Sequence, residues 1–157
     1  MGGFLAPIVA VVVTLGLWAQ YQNVNSMVTP SKYTVQSTTD ATTFLAYRNA
    51  VMAFMSANPG FTGSVPITSL AVQIPTSFGA GNYVSAFGTT GRTITCWASV
   101  PPGTVQQAVT QAGVDPSLGT SNGSTWVSAA PGANATPVAL STPVPAGDIV
   151  SVIQIGS

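Results

Sequence analysis

The chain has 157 residues, a length that suits one domain. Charged residues make up 4% of it, three basic and three acidic, against roughly 25% in ordinary soluble domains. With formal net charge zero and no Lys/Arg cluster there is no footprint for neutralising phosphates, so nucleic-acid binding is excluded. Polarity comes instead from Ser, Thr, Asn and Gln, which leaves little repulsion between copies and so permits a homo-oligomer.

From Gly2 to Ala19 the only polar side chain is Thr14. As a helix this run would span about 27 Å, just enough to cross a bilayer. Phe4, Leu5, Ile8, Val9, Val12, Leu15 and Trp18 would form the lipid-facing anchor, with Trp18 and Tyr21 at the interface where aromatic rings are favoured. The segment lacks a basic n-region and a small-x-small cleavage site, so residues 1–22 read as an uncleaved anchor rather than a secretory signal. A buried core helix is the alternative. The "GGF" at the start is similar to a prepilin-peptidase site, cleaved between Gly3 and Phe4, although Ile8 then stands where pilins carry Glu.

Residues 23–39 read as a linker or helix extension, interrupted by Pro30. Residues 40–157 then form an extracytoplasmic domain. Thr38, Thr39 or Asp40 would cap a helix whose apolar positions Phe44, Tyr47, Val51, Phe54 and Met55 follow helical spacing and pack on a sheet. Asn58-Pro59-Gly60 would stop it, Gly60 taking a positive φ. Arg48 beside the apolar face would either extend into solvent or pair with a partner or with Asp40; Phe61 would plug the turn or dock a partner.

"ITSLAVQIP" fits a short strand or a helical turn equally. Two alternating segments flank Gly88-Thr89-Thr90-Gly91 as a β-hairpin, and Cys96 in the second is a buried, unpaired thiol beside Trp97. "PPGTVQQAVTQAG" predicts a short helix with Val105, Ala108, Val109 and Ala112 on one face. A further hairpin turns at Asn122-Gly123, residues 130–146 form a surface loop, and "AGDIVSVIQIG" is a last strand. The sum is an α+β fold: a transmembrane helix, then a small pilin-like domain with a helix packed on a mainly antiparallel sheet.

Reactive chemistry is missing. There is no His and no Glu, and the three Asp residues lie far apart, so neither an acid–base pair nor a zinc site is assembled locally. Neither phosphate-loop motif occurs. The reading is therefore a protein that is not an enzyme and needs no cofactor.

The order of features adds a family. The apolar N-terminus, "YRNAVMAFMSANPGFTGSVP" at residues 47–66, Tyr83-Val84, "VPPG" leading to a helix, "STWVS" and "VPAGDIVSVI" together resemble the PilM family of type IVB (thin) pilus systems of conjugative plasmids. The similarity is densest around Tyr47, Arg48, Asn58, Pro59, Gly60 and Phe61. It implies a noncatalytic inner-membrane protein with its C-terminal domain in the periplasm, contacting other pilus assembly proteins or pilin subunits. The alternative is a pilin or minor pilin whose apolar helix is buried in a filament.

Overall fold

The structure is a computed structural model that describes residues 32–133 and 135–156. The predicted anchor, Phe4 to Trp18, lies outside these residues. The chain divides into two compact units, residues 1–35 and 36–157, and the sheet and core belong to the second. Among the described residues no helix is long and apolar enough to cross a membrane.

Helix α1, Lys32–Ala57, runs without a break through Thr38, Thr39 and Asp40, so the cap expected there does not exist. The Ser/Thr run stays helical because its hydroxyls bond back one turn: Thr42 Oγ1 donates to the Thr38 carbonyl at 3.0 Å and Thr43 Oγ1 to that of Thr39 at 3.0 Å. A hydroxyl used in this way no longer competes for the backbone as a cap. The helix ends where expected, with Pro59 as expected but without the glycine device. Gly60 does not adopt a positive φ; instead the Asn58 side-chain amide donates to the Phe54 carbonyl at 2.9 Å, and Pro59 prevents another turn.

Strands β1 (Gly81–Phe87) and β2 (Gly91–Ala98) form the first hairpin, with Gly88 at φ 58 in its tip. Helix α2 covers Thr104–Gln111, and Gly113 at φ 70 follows its end. Strands β3 (Leu118–Ser121) and β4 (Thr125–Ser128) make the second hairpin, where Gly123 holds φ 90. The stretch 130–146 is not wholly loop, since Val138–Ala139 forms β5 against β4. Ile67–Ser69 is a 3₁₀ turn, which decides the ambiguous segment in favour of the helical reading.

Strand β6, Ile149–Ile155, inserts between the two hairpins and pairs with β2 on one side and β3 on the other. The resulting six-stranded antiparallel sheet has the order β1-β2-β6-β3-β4-β5. Phe44, Tyr47, Val51 and Met55 of α1 are buried with Val84, Ile94, Cys96, Leu118 and Ile149 of the sheet and Ala108 and Val109 of α2. This is the α+β arrangement expected, a helix packed on an antiparallel sheet. Each large aliphatic or aromatic side chain so buried contributes about 1.5–3 kcal/mol. Trp126, Val144 and Val150 are buried apart from that cluster.

Candidate interaction surface

Of the six residues singled out in the 47–66 stretch, Tyr47 is buried, Arg48 and Phe61 are partly buried, and Asn58, Pro59 and Gly60 form an exposed turn. Tyr47 is fully buried, and its hydroxyl accepts a hydrogen bond from Asn82 Nδ2 on β1 at 2.8 Å. Burial pushes the phenol up to about 12, against the opposing pull of the Asn82 hydrogen bond. The same Asn82 amide reads the backbone of Val65: Val65 N donates to Oδ1 at 2.7 Å and Nδ2 donates to the Val65 carbonyl at 3.0 Å. A single buried side chain thus ties α1, β1 and the connection between them.

Arg48 does not pair with Asp40, which stands eight residues, about 12 Å of helix, away. It pairs with Asp115 in the α2–β3 connection, Nη1 to Oδ2 at 2.6 Å. Burial alone would raise the Asp115 carboxyl, but donors from Ser117 and the Arg48 charge outweigh it and hold the group below the usual range. The Phe61 ring meets Phe54 edge to face at 5.2 Å, so it plugs the turn. The turn itself is gripped from β2, where Arg92 donates from Nε to the Phe61 carbonyl at 3.2 Å and from Nη2 to that of Gly60 at 3.3 Å. Asn82, Arg92 and Asp115 were not foreseen as partners of this stretch. The one available signal was polar: an Asn inside an alternating strand needs a partner when buried.

Another flank of α1 is only partly covered among the described residues. Ala46, Ala50, Ala53 and Ala57 recur at helical spacing there, and with Phe54 they face Ala71 and Val72 across a groove of about 520 Å³. No charged side chain lines it. Small residues at this spacing let another backbone approach closely, so its geometry suits packing rather than chemistry.

Among the described residues there is no cluster of three or more His, Cys, Asp or Glu that could hold a metal. Cys96 is buried on β2, and burial pushes its thiol up to about 12, which keeps it protonated and unreactive at neutral pH. Asp148, buried just before β6, is shifted upward by burial despite a hydrogen bond from Ser99.

The comparisons with known proteins agree with the fold. Among solved structures, the crystal structure of a protein given as PilM from Escherichia coli B7A superposes with a TM-score of 0.58, at 15% identity, covering 80% of this chain and 97% of that one. Among curated proteins no relative matches. The family model named PilM matches residues 10–152, and the chain belongs to the PilM family.

Proposed function

We propose that this protein is a membrane-anchored, noncatalytic component of type IVB pilus assembly, acting through contacts with other pilus assembly proteins or with pilin subunits. The family match carries the reading, and it begins at residue 10, inside the apolar run taken as the anchor. Residues 1–22 would then hold the domain at the inner membrane, with the C-terminal domain in the periplasm. Tethering of this kind raises the effective concentration of a binding surface without adding contacts. The uncharged alanine groove on α1 supplies a surface suited to a helix of a partner.

The test joins anchor and groove. Ala53→Glu places a charge in the groove at an exposed position, so the protein should remain folded while piliation is lost. Replacing residues 2–19 by a cleavable signal peptide should likewise leave a folded domain that supports little piliation at native expression. Full piliation in both variants would overturn the reading. Intact mass from native membranes separates the alternative: loss of residues 1–3 would mark a processed pilin subunit.

A further inference from the structure

We infer that residues 59–66 are an edge guard for the sheet: they occupy the outer edge of β1, and their release turns that edge into an addition site for β1 of a second copy. Strand β1 is terminal in the sheet order, so one row of its backbone groups faces away from β2. Two of these are taken by Gly63, whose N–H donates to the Val84 carbonyl at 2.8 Å and whose carbonyl accepts from Val84 N at 2.9 Å. One level along, the guard is held by a side chain rather than by a ladder, through the two hydrogen bonds between the Asn82 amide and Val65. The guard's first half is fixed by Arg92 through the carbonyls of Gly60 and Phe61.

The guard covers the edge without becoming a new one. Gly63 sits at φ +99, a conformation that glycine adopts readily and other residues rarely do. The chain therefore makes one bridge and turns away, leaving no extended strand for a further copy to join. Beneath it, "GNYVSAF" in β1 contains no charge and no proline, and its seven residues pair with β2 in regular register. By the alternation of an antiparallel ladder, Ala86 shares the outward orientation of Val84 and presents its own N–H and C=O at the edge. A strand of this kind is a template for pairing, and two copies can meet antiparallel about a twofold axis. With three basic and three acidic side chains in the whole chain, charge repulsion does little to oppose it.

Full-length protein in a non-ionic detergent provides the test. Gly63→Pro removes the N–H that bonds Val84 and forbids the positive φ, so it releases the guard. Light scattering over a range of concentrations should show the protein mass rising to twice that of wild type. Hydrogen exchange at the Val84 amide should be fast when dilute and slow again in the dimer. Adding Ala86→Pro, tolerated on an edge because this N–H does not serve β2, should restore the wild-type mass. Gly63→Val, which keeps the N–H but is strained at φ +99 by its branched side chain, is the second release variant should Gly63→Pro fail to fold. Wild-type mass at every concentration in the folded release variants, or a dimer indifferent to Ala86→Pro, overturns the inference.

Discussion

Replacing Tyr47 by Phe isolates one hydrogen bond in the centre of the domain. The ring stays, so the packing against Asn82 and the sheet is conserved and only the hydroxyl is lost. Asn82 Nδ2 currently divides its two hydrogens between Tyr47 Oη at 2.8 Å and the Val65 carbonyl at 3.0 Å. In the variant one of them has no acceptor, at a residue 4% exposed. A buried donor left unsatisfied costs about 1–3 kcal/mol. At roughly 2–4 °C per kcal/mol for a chain of this size, Tm should fall by about 2–12 °C. Asn82→Ala should cost more, because it also orphans the N–H and C=O of Val65. Tyr47→Phe added to Asn82→Ala should then cost less than it does alone, and thermal unfolding of the four proteins measures this coupling. A Tyr47→Phe protein melting within about 1 °C of wild type would refute the claim that this network ties α1 to β1.

Asp148 gives a pH signature. Burial raises its folded-state value above the unfolded one of about 3.9, so its ionisation costs stability as pH climbs from there through the folded value. Asp148→Asn should therefore melt higher than wild type at pH 7, with the advantage vanishing below about pH 4; an advantage that grows on acidification would reverse the assignment. Cys96, buried and held protonated, should resist maleimide in the native protein and react on unfolding; rapid native labelling would place it at the surface.

The elements closest to their sequence signals were those whose signal is local. The buried face of α1 follows from the spacing of Phe44, Tyr47, Val51 and Met55, and the two hairpins from Gly88 and from Asn122-Gly123. What escaped was long-range. Nothing near Ile149 says that β6 will insert between β2 and β3, because that choice is made by packing across the sheet. The partner of Arg48 lies 67 residues away, beyond reach of any reading along the helix. Strand β5 has two residues, too few for alternation to show. The cap at Thr38, Thr39 or Asp40 was misjudged, while a helix from Lys32 agrees with the helix-extension alternative, because Ser and Thr serve both as caps and as back-bonding helix residues and only the structure separates the two.

The scarcity of charge connects these features. Of the six charged side chains, Arg48 and Asp115 neutralise each other, Arg92 is spent on backbone carbonyls, and Asp148 is buried. The chain therefore has few ionic groups with which to keep sheet edges apart, a task often given to lysine. Steric devices stand in their place. At one edge Gly63 caps β1; at the other, β5 lies between Pro137 and Pro143, which have no N–H to offer an incoming strand. The same neutrality that suits the alanine flank of α1 to an apolar partner thus requires the edges to be closed by shape. Under the proposed assembly role, association would be confined to the helix face while the sheet remained unavailable to chance pairing.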